Sequence, residues 1–150
     1  MQYRFASAAD EPIINRQLAD AHLPHDDVAP HLQNFIVATQ NEAIVGVVGL
    51  EVHGRVGLLR SLVVDPTVRG HGVGQSLCDR LIRHARAQGV RELYLLTLDA
   101  ETYFQPLGFR RIERTSAPDT IQGTRQFQGL CPTSATLMVR DLSAAKGASA

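Results

Sequence analysis

Residues 58–88 read LLRSLVVDPTVRGHGVGQSLCDRLIRHARAQ, and this stretch decides the fold. An apolar run from Leu58 to Val64 stops at Asp65-Pro66, the pattern of a strand followed by a breaker. Glycines at 70, 72 and 74 come next, interleaved with His71 and Val73 and flanked by Arg69 and Gln75. Beyond them Val73, Leu77, Cys78, Leu81, Ile82 and Ala85 recur with the period of an amphipathic helix. The order is strand, glycine-rich turn, helix. Glycine lets a backbone approach a ligand closely. The first turn of a helix carries unpaired N–H groups and the positive end of the helix dipole. The stretch therefore predicts a phosphate or pyrophosphate site, with Arg69 as a fixed positive charge at its rim.

The spacing separates this turn from other phosphate loops. A Walker loop needs Lys-Ser/Thr after its last glycine, where this chain has Gln75-Ser76. A dinucleotide fingerprint needs G-x-G-x-x-G, and here the glycines run G-x-G-x-G. What is present is R-x-x-G-x-G, at Arg69, Gly72 and Gly74, behind a Leu-Val-Val-Asp-Pro strand. That arrangement resembles the acetyl-CoA-binding motif of the GNAT superfamily of N-acetyltransferases.

Outward from the motif, the bulk properties bound the class. At 150 residues and 44% apolar the chain is long enough for one domain with one core. The 15 basic and 15 acidic residues cancel, with no basic stripe to argue for nucleic acid. No apolar run is long enough for a membrane span, and the first residues, MQYRFASAADEP, lack the apolar segment of a signal peptide, so the expected location is the cytoplasm. Two cysteines make neither a disulfide framework nor a zinc site, and the six histidines show no ligand spacing, so no metal is expected. Cys78 reads as a small core residue; Cys131, before Pro132, reads as structural.

Taken in order, residues 2–6 predict a short strand, and Ser7 with Asp10 a capping box opening a helix to about Ala21 with Ile13, Ile14, Gln17 and Leu18 inside. Asp26 or Asp27 caps a short helix near Val28–Leu32. Strands follow at 35–39, 43–52 and 56–64, with a hairpin turn at Asn41-Glu42 and room made on one face by Gly46 and Gly49. The central helix ends at Gly89, and residues 92–98, ELYLLTL, read as a buried parallel strand. A short helix over 100–106, a strand over 110–114, helical spacing at Ile121, Thr124 and Phe127 behind Pro118, and a last strand over 135–142 complete the pattern. The fold class is α/β (α+β): one domain over residues 1–142, then a disordered tail over 143–150. The resemblance adds the form, a mixed sheet of about six to seven strands with helices on both faces and the fourth and fifth strands splayed.

A second block carries the resemblance. Tyr103-Phe104-Gln105-Pro106-Leu107-Gly108-Phe109 resembles the family's F-Y-x-x-L-G-F segment, whose tyrosine often protonates the departing CoA thiolate. The matching position here is Phe104, which has no proton to give, with Tyr103 one residue earlier. Tyr103 from a shifted helix, a water or serine, or unassisted departure of the thiolate are the open alternatives. The segments LLRSLVVDPTVRGHGVG and RELYLLTLDAETYFQPLGF look like the acetyltransferase domain of N-acetylglutamate synthases. The ending from Pro118 through Thr124-Arg125-Gln126-Phe127 to Met138 resembles the arsenic-resistance N-acetyltransferases, akin to phosphinothricin acetyltransferases.

The resemblance implies acetyl-CoA as donor and a small glutamate-like amine as acceptor. The cofactor site is implied at Leu62, Val63 and Val64 for pantetheine, at Arg69, Gly70, His71, Gly72, Val73, Gly74 and Gln75 for pyrophosphate, and at Phe104. An amine protonated at neutral pH needs a base, for which Glu51 and His53 are the candidates. An acceptor carboxylate suits an arginine, and Arg60, in an otherwise apolar strand, is the expected partner, with Ser61, Thr97 and Arg125 as further contacts. Acetylation of a protein N-terminus or lysine, and a non-catalytic acyl-CoA-binding sensor, are the competing readings. The resemblance leaves a homodimer open.

Overall fold

The computed structural model describes residues 1–130 and 134–143. The chain divides into two compact units, Met1–Glu51 with Leu59–Arg83, and Val52–Leu58 with the described residues from His84 on. Strands follow the hydrogen-bonded order β1-β2-β3-β4-β5-β7-β6: Gln2–Phe5 (β1), Phe35–Gln40 (β2), Ala43–His53 (β3), Val56–Val64 (β4), Glu92–Thr97 (β5), Arg110–Ile112 (β6) and Thr136–Asp141 (β7). The helices are Glu11–Asp20 (α1), Val73–Ala87 (α2), Glu101–Phe104 (α3) and Asp119–Gln122 (α4). The expected mixed sheet is thus seven-stranded. Its β4–β5 pairing is parallel and the other registers seen are antiparallel.

In the first unit, β1 pairs with β2 from Gln2↔Thr39 to Phe5↔Ile36. Asn41 and Glu42 both take positive φ, 52° and 68°, the backbone of a tight two-residue hairpin between β2 and β3. Ser7 N–H donates to Asp10 Oδ2 at 2.7 Å, and Arg4 grips the same carboxylate at 2.7 and 3.1 Å, so the entry to α1 is fixed as its capping box predicts. Ile14 and Leu18 then bury fully against Val28, Phe35, Val37, Ile44 and Val47. Ile13 differs from expectation: it is 48% exposed, because neighbouring residues on a helix diverge by about 100° and Ile14 has the inward place. Gly49 is a packing requirement, since a Cβ there would lie 2.4 Å from the Phe35 ring. The expected helix near residue 28 is instead a 3-10 turn, Ala29–Asn34.

The β4–β5 register covers Val56↔Glu92, Gly57↔Leu93 and Leu58↔Tyr94, while β4 itself runs on to Val64. Just past the register Ser61 takes φ 65°, a left-handed conformation that is uncommon for a residue with a side chain and breaks the alternation of a strand. The expected splay is consistent with this short parallel register.

The second unit is built on β5 and β7, antiparallel from Glu92↔Asp141 to Thr97↔Thr136, with β6 on the far side of β7. Leu58, Tyr94, Ala117, Ile121, Leu137 and Val139 form its core. Leu98 lies beyond the strand and is 63% exposed. The expected strand over 110–114 stops at Ile112, where a 3-10 turn over Arg114–Ser116 begins; Pro118 stands at the N-cap of α4, and a π-type turn follows over Gln126–Leu130. Cys131, Pro132 and the expected tail from residue 144 lie outside the described residues. Among the described residues no helix is long and apolar enough to cross a membrane.

Candidate active site

The glycine turn has the geometry of an anion cradle. Asp65 ends β4: its N–H donates to Val45 O at 2.8 Å, and its carboxylate accepts from the Thr67 N–H at 2.9 Å and the Thr67 hydroxyl at 2.7 Å. Those two bonds from Thr67 hold the exposed carboxyl below its ordinary range. Gly70 and Gly72 take φ 85° and 78°, and the space where a Cβ would sit is open at both. Ser76 N–H closes the first bond of α2, to Gly72 O at 3.0 Å. Ahead of it, the N–H groups from Gly70 to Gln75 have no main-chain partner among the described residues. Open space over an array of unpaired donors at a helix N-terminus fits a pyrophosphate.

Side chains play a lesser part in this turn. Arg69 bends back so that its Nε donates to Val64 O at 3.1 Å, and His71 Nδ1 lies 3.1 Å from Val68 O. Val73 is buried against Gly46, while Gln75 points to solvent. Beside the turn a cavity of about 230 Å³ is lined by Gln17 and Asp20 of α1, by Ala21 just after it, and by Val63, Val64, Asp65, Pro66 and Arg69. The expected pantetheine strand, Leu62–Val64, thus contributes two residues to an open recess in the same unit.

The second feature of this unit is a charged cluster inside the core. Arg60 is buried with a side chain at 0% exposure. Its Nη1 and Nη2 donate to Asp27 at 2.9 and 2.7 Å, Nη1 donates also to Glu51 Oε2 at 2.8 Å, and Nε donates to Ser61 Oγ at 3.0 Å. The Phe35 ring lies 5.8 Å from the guanidinium carbon. Consecutive strand residues normally face opposite ways; the left-handed backbone at Ser61 allows it to meet Arg60 side chain to side chain. Arg60 is expected to face an acceptor carboxylate, but the carboxylates it meets are the chain's own, and these pairings make burial of the charge tolerable. Glu51, the expected base, is 2% exposed. Its Oε1 lies 3.7 Å from Nε2 of His31, whose side chain is 25% exposed. Asp27 went unrecognised as a site residue, because no local spacing ties it to Arg60.

The remaining expected residues belong to the second unit. His53 is part-buried at the end of β3. Thr97 Oγ1 accepts from the Ala100 N–H at 3.0 Å and shapes the turn into α3. Tyr103 is 43% exposed on α3, and its ring meets Phe104 edge-on at 5.2 Å. Phe104 is buried against Phe109 at 5.7 Å, a packed aromatic at the position where the family's tyrosine stands. Arg125 is exposed. In the first unit, Cys78 is wholly buried, and burial pushes its thiol up to about 12, which removes it as an acyl carrier at neutral pH.

The turn, its strand and its helix match a known family model, the acetyltransferase (GNAT) family, over residues 3–109. The chain belongs to the GNAT acetyltransferase family. It is an acetyl-CoA-dependent N-acetyltransferase of that type. An amino-acid acetyltransferase of Mycobacterium tuberculosis is 32% identical over 123 residues, which span 75% of this chain and 70% of that relative. A solved M. tuberculosis protein in complex with CoA and NLQ superposes with a TM-score of 0.79 at 25% identity, over 94% of this chain and 99% of that one. The N-acetylglutamate synthase of Neisseria gonorrhoeae, solved with coenzyme A and N-acetyl-glutamate, gives a TM-score of 0.83 at 22% identity, a likeness of fold. This chain covers 94% of its own length there but 35% of the synthase.

Proposed function

We propose that this acetyltransferase transfers the acetyl group of acetyl-CoA directly to the amine of a small glutamate-like amino acid, with phosphinothricin- and arsinothricin-type compounds in the same class. The observation that carries the reading is the row of unpaired N–H groups from Gly70 to Gln75 over open space. The amino-acid acetyltransferase relative and the N-acetyl-glutamate-bound synthase fold support the acceptor class.

Acetyl-CoA supplies the acetyl group as a thioester when bound. The N–H groups of the turn hold its pyrophosphate, and Arg69 adds charge at the rim. The main chain of Leu62–Val64 holds the pantetheine arm, and one N–H there polarises the thioester carbonyl. Glu51 takes the proton that the acceptor ammonium must lose before its nitrogen can attack; His53 is the alternative base. As the C–N bond forms the C–S bond breaks, and the sulfur leaves as thiolate, a tolerable leaving group with an ordinary thiol pKa near 8.5. Tyr103 is the hydroxyl placed nearest in sequence to protonate it. Ser61 and Thr97 each accept a hydrogen bond in the structure, which leaves each hydroxyl its own proton to donate. A donor of that kind, and the charge of Arg125, suit an acceptor carboxylate.

The test is release of free thiol from acetyl-CoA by the purified protein. The panel holds glutamate, aspartate, phosphinothricin, arsinothricin, polyamines and a lysine peptide. Turnover on the glutamate-like members is expected. Turnover on the peptide alone would replace the acceptor class. Binding of acetyl-CoA without turnover on any amine would favour the sensor reading, for which Phe104 in the tyrosine position is the specific observation.

A further inference from the structure

The recess beside the glycine turn has two walls. One is the end of β4, where Val63 and Val64 lead to Asp65 and on to Arg69 at the edge of the turn. The other is α1 with the residue after it, through Gln17, Asp20 and Ala21. Both walls hang from adjacent carbonyls of β3: Gln17 Nε2 donates to Ile44 O at 2.9 Å, and Asp65 N–H donates to Val45 O at 2.8 Å. A carbonyl oxygen only accepts, so the nitrogen of the Gln17 amide is its anchored end and Oε1 is the other. Among the described residues Oε1 accepts no hydrogen bond, and it is not sealed in the interior. A long polar side chain is thus held at its tip, with an acceptor left over, in a recess bordered by the proposed pantetheine strand.

We infer that Gln17 is a donor-binding residue: its Oε1 accepts from an amide N–H of the pantetheine arm, and α1 forms a second wall along the arm's path. This rests on the reading that the glycine turn holds the pyrophosphate and Leu62–Val64 the arm. A chain that runs between those two places passes the residues from Val64 to Arg69, which border the recess. Charge decides which part of the cofactor lies there. Among the lining residues Asp20 and Asp65 bring two carboxylates against one guanidinium, Arg69. A phosphate is therefore better placed on the turn, and a neutral chain with N–H and O–H donors is favoured in the recess. Pantetheine is such a chain, with amides and a hydroxyl set among methyl and methylene groups. Val63, Val64 and Ala21 offer those groups apolar contact. Because Ile44 already holds the Gln17 side chain, little further ordering is needed when the arm binds.

The experiment measures calorimetric affinity for CoA and for 3′-phospho-ADP, which is CoA without its arm. The parent should bind CoA about 10-fold or more tightly than 3′-phospho-ADP. Gln17→Met should lower CoA affinity about 5-fold, the worth of one hydrogen bond, with 3′-phospho-ADP affinity within about 2-fold of the parent. Gln17→Glu keeps an accepting oxygen but cannot donate to Ile44 O, and it should lose less than Gln17→Met. Ala21→Trp, at an exposed position, fills the recess and should lower CoA affinity about 10-fold or more, again sparing 3′-phospho-ADP. Unchanged CoA affinity in Gln17→Met, a loss shared with 3′-phospho-ADP, or an equal loss in Gln17→Glu overturns the contact and leaves the turn and strand readings standing. A parent that binds both probes equally overturns the strand reading and this inference with it. If Gln17→Met does not fold, Ala21→Trp decides: a loss confined to CoA supports the inference, and a shared loss or none ends it.

Discussion

The glycine turn after β4 presents main chain to a ligand, while the Arg60 cluster within β4 presents side chains to one another. The turn is open, its glycines hold φ near +80°, and its donors wait without main-chain partners. The cluster is closed, with Arg60 fully buried and its guanidinium hydrogen-bonded to two carboxylates and a hydroxyl. Backbone recognition depends on conformation, so it tolerates most side chains and is broken at a glycine. Side-chain recognition in a low-dielectric interior depends on each partner, because removing one leaves another charged and unmatched. Two kinds of fragility follow, and they can be measured against each other.

The largest effect should fall on the cluster. Arg60→Met leaves two buried carboxylates without their cation and should cost about 3–5 kcal/mol of stability in urea unfolding; a cost below about 1 kcal/mol would mean the cluster is not a true interior ion pair. At the turn, Gly72→Glu should weaken CoA binding by about 100-fold or more, through a charge placed in the cradle, with strain of about 1–3 kcal/mol from a side chain at φ 78° and an intact fold. Unchanged affinity by calorimetry would remove the pyrophosphate from this turn. A surface pair of the same bidentate form, Arg4–Asp10, sharpens the contrast, since Arg4 is 46% exposed. The bond from Arg4 lowers the Asp10 carboxyl from 3.8 to about 2. A depressed carboxyl stabilises above the unfolded value and loses that contribution as pH falls through the folded one. Asp10→Asn should therefore destabilise by about 1–2 kcal/mol at neutral pH, after discount for Arg4's exposure, and the difference should fade between pH 4 and 2. The smallest effects are expected at His71→Ala and Gln75→Ala, each within about 3-fold of parental CoA affinity, because their N–H groups survive the change. A loss as large as that of Gly72→Glu would show that side chains take part in the cradle after all.

The same contrast explains what the sequence made legible. The strand, turn and helix from Leu58 to Gln88 are contiguous, so glycine spacing and apolar period suffice to place them. The Asn41-Glu42 hairpin and the Ser7–Asp10 capping box are local in the same sense. Asp27 and Arg60 are tertiary partners, and nothing near either residue announces the other. Arg60 in an apolar strand reads as the partner of an acceptor carboxylate, whereas the carboxylates it meets, Asp27 and Glu51, are brought to it by chain packing. Ser61 carries a left-handed backbone without the glycine that would mark it. Ile13 and Ile14 offered equal apolar character, and only the packing of α1 chose between them. The assignments of Tyr103, Thr97 and Arg125 rest on the family resemblance and on chemistry, since no spacing rule fixes an acceptor.

Cys78 gives the molecule an internal clock. It sits wholly buried on the helix that begins at the anion turn, with a thiol pushed up to about 12. Alkylating reagents attack thiolate, so the residue is silent until that helix opens. The sequence holds two cysteines, and Cys131→Ser would leave Cys78 as the sole reporter. Its labelling rate then counts openings of the helix one by one. A ligand that settles on the N-terminal turn should slow the count in proportion to its occupancy, so donor binding becomes readable in a sample where no acceptor is known and no acetyl group has moved.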